Sequence, residues 1–233
     1  MNDILVIIPA FNEEANISDV VEKLLQDHPD LDYVIVNDGS SDRTAQICRE
    51  KKYHLLDLPV NLGLAGAFRT GMRYAREKGY RYAVQFDGDG QHRPEYIVPM
   101  QKKMEEGYDL VIASRFVTKK KPHSFRMLGS NLISLAIFLT TGTYMKDPTS
   151  GMRMYNQKLI EEFAERINYA PEPDTISWLI RNGAKAAEIQ AEMDLRVKGK
   201  SYLTPVKAVK YMVRTLTSIV LIQNFRGKGS NGQ

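Results

Sequence analysis

Tyr82-Ala-Val-Gln-Phe86 runs directly into Asp87-Gly-Asp-Gly-Gln-His92. The first five residues have the apolar, β-rich character of a buried strand, and the next six have the turn-forming, polar character of the loop at its carboxyl end. The same grammar recurs on both sides. Ile4 to Ile8, Tyr33 to Val36, His54 to Leu58 and Asp109 to Ala113 are further strand-like runs. Between them Asn16 to Gln26, Asp42 to Lys51, Ala65 to Lys78 and Pro94 to Glu105 carry helical periodicity, with Gly79 and Gly107 placed as helix stops. This alternation amounts to about four βα units and predicts an α/β fold with a mainly parallel sheet flanked by helices. In an open sheet of that kind ligands bind beyond the carboxyl ends of the strands.

Unusual residues gather at those ends. Pro9-Ala-Phe-Asn-Glu-Glu14 follows the first strand, Asn37-Asp-Gly-Ser-Ser-Asp42 the second and Asp87-Gly-Asp-Gly-Gln-His92 the fourth. Taken alone, the second segment is equally a turn, with Asp42 available to cap the next helix. Asp87 and Asp89 are two apart, so in an extended chain both carboxylates point to one side. Side by side they repel, and a cation relieves that repulsion. Mg²⁺ or Mn²⁺ suits the pair, because these ions take oxygen ligands from one or two carboxylates together with substrate phosphates. Gln91 offers a third oxygen, and His92 is a poorer candidate. Competing nucleotide motifs fail. Gly66 and Gly71 have P-loop spacing, but Met72 and Arg73 stand where Lys and Ser or Thr are needed. No G-x-G-x-x-G follows the first strand, and no Cys or His cluster suits zinc.

The whole chain is compatible with this reading. Its 233 residues, 43% hydrophobic and 26% charged, suffice for one catalytic domain, expected over 1–203, with a C-terminal extension over 204–233. A formal net charge of +4 and a pI near 9.0 fit an anionic partner, though not nucleic acid in particular. Cys48 is the lone cysteine and reads as a packed helix residue. The N-terminal run lacks the features of a signal peptide, so a cytoplasmic location is expected. Neither Met127 to Met145, which is rich in Ser and Thr, nor the short Thr215 to Phe225 meets the requirement of about 20 mostly apolar residues for a membrane span.

Both segments nevertheless have basic neighbours. Lys119-Lys-Lys121, His123 and Arg126 precede the first. From Pro205 onward, helical geometry puts Lys207, Lys210 and Arg214 on one stripe and Val209, Val213, Leu216 and Val220 near the opposite one. Such a helix suits the headgroup region of a membrane, or docking onto a small integral membrane protein.

In their order the motifs resemble family 2 glycosyltransferases of the GT-A fold, in the dolichol-phosphate mannosyltransferase-like branch that glycosylates polyprenyl phosphates. The resemblance is carried by Pro9 to Glu14, Val36 to Asp42, Asn61-Leu-Gly63, Asp87 to His92, Ala113-Ser-Arg-Phe116 and Asp147-Pro-Thr-Ser-Gly-Met-Arg153. It implies that Pro9, Phe11, Glu13 and Asp38 hold the nucleoside of a nucleotide-sugar donor, and that Asp87, Asp89 and Gln91 hold the metal. It implies that Arg115 and Arg126 meet the acceptor phosphate. Asn37 departs from the family, which has an acid there. Arg196-Val-Lys-Gly-Lys-Ser-Tyr202 is similar to a family segment that approaches the donor phosphates, with Tyr202 in place of a Lys and Lys200 as the substitute cation. The expected activity is inverting transfer from a UDP-sugar to a polyprenyl phosphate on the inner face of the cell membrane, for cell-envelope glycans, with self-association a further option. Two alternatives stand beside it. A glycan hydroxyl acceptor would need a base, for which Asp147, Glu172 and Asp174 are available, although Glu172-Pro-Asp174 equally suits a helix start. A non-catalytic nucleotide-sugar-binding subunit is the other.

Overall fold

The computed structural model describes residues 3–194 and 205–225, with the backbone alone described at 125, 126, 205–207, 224 and 225. Arg196, Lys200 and Tyr202 lie outside the described residues. Among the described residues seven strands form one sheet: β1 (Ile4–Ala10), β2 (Asp32–Asn37), β3 (Leu55–Asp57), β4 (Tyr82–Gln85), β5 (Leu110–Ser114), β6 (Arg153–Asn156) and β7 (Ala186–Gln190). Their order is β3-β2-β1-β4-β6-β5-β7. Every pairing is parallel except the two made by β6, which runs against both β4 and β5.

Eight α-helices among the described residues accompany the sheet: α1 (Ile17–Asp27), α2 (Thr44–Glu50), α3 (Gly63–Lys78), α4 (Ile97–Glu105), α5 (Phe125–Thr141), α6 (Gln157–Glu165), α7 (Pro173–Arg181) and α8 (Pro205–Val220). Strand side chains alternate between two cores, as the period of two demands. Leu5, Ile7, Val34, Val36, Leu110 and Ile112 pack with α3, α5, α6 and α7, and Ile219 of α8 joins this core with no exposed surface. Ile4, Val6, Ile8, Ile35, Val111 and Ala113 pack with α1, α4 and Cys48 of α2 on the other face. Strands buried on both faces read as near-continuous apolar runs, which is why β1, β2 and β5 stand out in the sequence.

Each strand and helix expected from the first half of the chain is present, with ends shifted by no more than two residues except at the start of α4, which lies three residues later. Asp42 lies outside α2 because its carboxylate accepts from the Thr44 N–H at 2.9 Å, the work of a cap. Pro94–Tyr96 form a separate 3-10 turn ahead of α4. Gly79 stops α3 in the left-handed conformation, at φ 76°. Glu172 and Pro173 open α7, so that stretch is a helix start. Among the described residues no helix is long and apolar enough to cross a membrane.

Candidate active site

The chain leaves β1 toward one neighbour, β2, and later returns to its other side as β4, so the carboxyl ends of these three strands open onto one crevice. The antiparallel β6 adds a fourth contributor. Arg153 pairs with Gln85 at the end of β4, so the segment 147–153 arrives at the same rim.

The first two loops are zipped together. Asn12, at φ 56°, donates its N–H to Ser40 Oγ at 2.9 Å and accepts from the Ser41 N–H at 2.9 Å through Oδ1. The Glu13 N–H donates to Thr44 Oγ1 at 2.9 Å, and Glu13 Oε2 accepts from Asn16 Nδ2 at 2.7 Å. Pro9 sits half-buried at the end of β1, and Phe11 beyond it is 40% exposed. Asp38 is buried, and its Oδ1 accepts from the Leu62 N–H at 2.7 Å, which ties the β2 loop to the start of α3. A side chain at Gly39 would stand 2.6 Å from the Val60 and Asn61 backbone, at φ 63°. Only glycine fits there. Asn37 donates to Asp57 Oδ1 at 2.6 Å while its own Oδ1 is buried with no partner among the described residues.

The β4 loop is held by His92. Its Nδ1 accepts from the Asp87 N–H at 2.9 Å, so the proton of the neutral ring is on Nε2, which lies 3.5 Å from Asp87 Oδ2. A nitrogen engaged by the backbone does not ligate a metal, so His92 shapes the loop. Asp89 Oδ1 accepts from the Gln91 N–H at 3.1 Å, and Asp89 also lines a cleft beside α1 with Lys23 and Asp194. The Asp194 N–H donates to the Gln91 carbonyl at 2.9 Å. The Asp194 carboxylate is gripped by Arg93 Nε at 2.6 Å and Lys23 Nζ at 2.9 Å. Gln91 Nε2 faces the Asp194 carbonyl at 3.5 Å, leaving Oε1 as the outward atom of the amide.

Asp87, Asp89 and Gln91 thus present hard oxygen donors on one short loop. Among the described residues no group of three or more His, Cys, Asp or Glu could hold a metal ion by itself. This donor set fits Mg²⁺ or Mn²⁺ shared with substrate phosphates, and does not resemble a self-sufficient protein cage.

Across the crevice Asp147 has no exposed surface and binds Arg115 at both ends, to Nε at 2.7 Å and Nη2 at 2.8 Å. Its own N–H donates to Glu188 Oε1 at 2.6 Å. Burial pushes the Asp147 carboxyl up, but the Arg115 guanidinium and backbone N–H outweigh it and hold the group below the ordinary carboxylate range. A buried carboxylate held that way is unsuited to accept a proton, so the expectation that Asp147 could serve as a base does not fit its surroundings. Glu172 and Asp174 are also engaged, with Arg214 at 2.5 Å and Ser218 Oγ at 2.7 Å. Arg126 is placed by its backbone alone, in the first turn of α5. Sequence reasoning gave no role to Arg153, which is buried and donates to the Pro148 carbonyl at 3.0 Å, or to Gly151, which faces Asp87.

Comparison with known proteins identifies the family and the fold. The family model described as Glycosyl transferase family 2 matches residues 5–163. A UDP-N-acetylglucosamine--dolichyl-phosphate N-acetylglucosaminyltransferase of Methanococcus voltae is 32% identical over 188 residues, covering 70% of this chain and 73% of that protein. A polyprenol monophosphomannose synthase of Mycolicibacterium smegmatis is 27% identical over 214 residues, covering 86% and 80%. The chain spans from 65% to 99% of the length of the first few curated relatives it matches. The crystal structure of glucosyl-3-phosphoglycerate synthase from Mycobacterium tuberculosis, in complex with Mn²⁺, UDP and phosphoglyceric acid, superimposes with a TM-score of 0.67 at 18% identity, covering 94% of this chain and 78% of that one. That likeness bears on the fold, which is GT-A. With a family model spanning well over half its residues, the chain belongs to glycosyl transferase family 2.

Proposed function

We propose that this enzyme transfers a sugar from a UDP-sugar to the phosphate of a polyprenyl phosphate while docked on a membrane surface. The observation that carries the proposal is a second, outward apolar face on each of two helices, α5 and α8, that also pack into the core. On α5, Ser130 and Ser134 are buried, whereas Leu128, Leu132, Leu135 and Leu139 are 40–73% exposed. On α8, Thr215 and Ser218 are buried, whereas Val209, Val213 and Val220 are 47–56% exposed. Of the stripe read from the sequence, Val209, Val213 and Val220 therefore face outward, while Leu216 packs against the core. Helices α5 and α8 pack together, with Gly129 of α5 against Met212 of α8. Exposed Lys119, Lys120, His123, Lys210 and Arg214 lie in the neighbouring segments. Apolar side chains outside and cations nearby match a surface that enters acyl chains beneath anionic headgroups.

In this reading Pro9, Phe11, Glu13 and Asp38 receive the nucleoside at the zipped loops. Asp87, Asp89 and Gln91 would hold Mg²⁺ or Mn²⁺, which would supply stabilisation of the charge on the departing diphosphate. Arg196 and Lys200 are assigned to the same diphosphate by resemblance. Arg115 and Arg126 orient the acceptor phosphate, and Asp147 fixes the plane of the Arg115 guanidinium. A phosphate monoester has its second pKa near about 6, so it is an anionic nucleophile at neutral pH and needs no base. That requirement matches a site whose three candidate bases are all engaged elsewhere, and it argues against a glycan hydroxyl as acceptor.

The test is a panel of radiolabelled nucleotide sugars with Mn²⁺ or Mg²⁺ and short-chain polyprenyl phosphate in phosphatidylglycerol vesicles. Metal-dependent label in the lipid phase, lost in Asp89→Ala, is the expected result. Transfer to soluble glycans instead, with no lipid label from any donor, would overturn the proposal.

A further inference from the structure

The three lysines ahead of α5 are not equivalent. Lys119 pairs with Glu192, and Lys120 is exposed. Lys121 turns inward: it is only partly exposed, its Nζ donates to Ser130 Oγ at 3.0 Å, and it makes no ion pair with a carboxylate among the described residues. Its ammonium lies 5.7 Å from the centre of the Phe116 ring, and the Arg115 guanidinium lies 5.3 Å from the same ring. Two cations therefore share one aromatic side chain, and Asp147 accounts for only one of them. Asp147 occupies Nε and Nη2 of Arg115, leaving Nη1 without a hydrogen-bond partner among the described residues, while Ser130 occupies one of three ammonium protons.

A half-buried ammonium without a counter-ion is costly, and it is costlier beside a second cation. Burial lowers the Lys121 pKa and Arg115 adds to that, with only partial relief from Asp147 and Glu188. Such a place is stabilised by an arriving anion, and two unengaged ammonium protons suit phosphate oxygens.

We propose that Lys121 binds the acceptor's phosphate monoester directly, completing with Arg115 a two-cation clamp around Phe116. This rests on the polyprenyl-phosphate reading above. The role is in binding: Lys121 neutralises and holds the incoming phosphate and leaves the donor side untouched.

Steady-state kinetics of Lys121→Met and Lys121→Arg test the clamp. For Lys121→Met the acceptor KM rises about tenfold, the scale of one charge-assisted hydrogen bond, while the donor KM and the melting temperature stay at wild-type values. Lys121→Arg recovers most of the loss. An unchanged acceptor KM would overturn the proposal, as would an equal rise in donor KM, which would mark a diphosphate ligand, or loss of stability in both variants, which would mark a structural lysine. A second readout needs no turnover. Octyl phosphate, and not octanol, should shield Lys121 from an amine-acylating reagent, as read by peptide mass spectrometry. Shielding without transfer to any lipid phosphate would sink the functional reading and leave the anion site standing; transfer without shielding would do the reverse.

Discussion

Gly151→Ala tests the link between the 147–153 segment and the metal loop. The Gly151 backbone is outside the left-handed region, so alanine brings no torsional strain there. The new Cβ would instead stand 2.6 Å from Asp87 Oδ2 and 3.2 Å from His92 Cε1 and Nε2. The His92 side chain is 4% exposed and has little room, whereas that of Asp87 is 39% exposed and yields. Regaining an ordinary contact of about 3.4 Å moves the Asp87 carboxylate by about 0.8 Å. Bonds from Mg²⁺ to oxygen are held near about 2.1 Å, so a shift of that size costs the ligand its place. Misplacements of about 1 Å at a reacting centre cost up to about 100-fold, and a loss of 10- to 100-fold in kcat/KM is expected here. The assay is initial rate against Mn²⁺ concentration, paired with a thermal melt. The half-saturating Mn²⁺ concentration should rise while the melting temperature stays within a few degrees, because the displaced atom is the tip of a flexible side chain. A wild-type Mn²⁺ response would refute the argument, and an equal collapse in stability would show that His92 moved instead.

Three further outcomes follow from the same geometry. Asp147→Asn leaves the Arg115 charge uncompensated; with the Arg115 side chain 25% exposed, the low end of the range for breaking a buried pair applies, about 3 kcal/mol, measurable by urea unfolding. Because the folded pKa of Asp147 is lowered, its contribution is complete above the unfolded value near 3.8 and is lost as pH falls through the folded one, so the gap between wild type and variant should hold above that value and narrow progressively in melts taken below it. Asp194→Asn, which weakens the grip of Arg93 and Lys23, should raise the Mn²⁺ requirement several-fold with little change in acceptor KM, and an unchanged Mn²⁺ titration would show that the clamp does not orient Gln91. Gly39→Ala forces a side chain at φ 63° against the Val60–Asn61 backbone and should cost more than about 2 kcal/mol of stability together with UDP affinity, checked by calorimetry with UDP and Mn²⁺.

The parallel half of the fold was legible because buried strands are apolar on both faces and their loops are not. Strands β6 and β7 were not legible: Arg153-Met-Tyr-Asn156 is four residues long and begins with an arginine, and Ala186-Ala-Glu-Ile-Gln190 is an edge strand of mixed polarity. Whether a strand runs parallel or antiparallel is decided by its partners, which no local pattern encodes. The loop residues Asp38, Asp87, Asp89 and Gln91 could be picked out by their place after strands. The service of His92 to the Asp87 N–H, of Leu62 to Asp38 and of Gly151 to Asp87 could not, since each depends on chain segments meeting across the rim. The outward valines of α8 were visible as a stripe, but periodicity alone does not tell which stripe of a helix faces the core.

The reversed direction of β6 has a consequence for inheritance. A parallel strand delivers the loop that follows it to the rim, whereas β6 delivers the one that precedes it, so Arg115, α5 and the 147–153 segment belong to one unbroken stretch of polypeptide, separate from the stretch ending at His92. On the proposed reading the acceptor residues 115–153 are therefore encoded as one contiguous block, apart from the metal loop that ends at His92. If that reading holds, a lineage can vary residues 115–153 to suit another acceptor while the loop ending at His92 passes on unaltered, and Gly151 against Asp87 is a narrow seam where the two stretches must still agree.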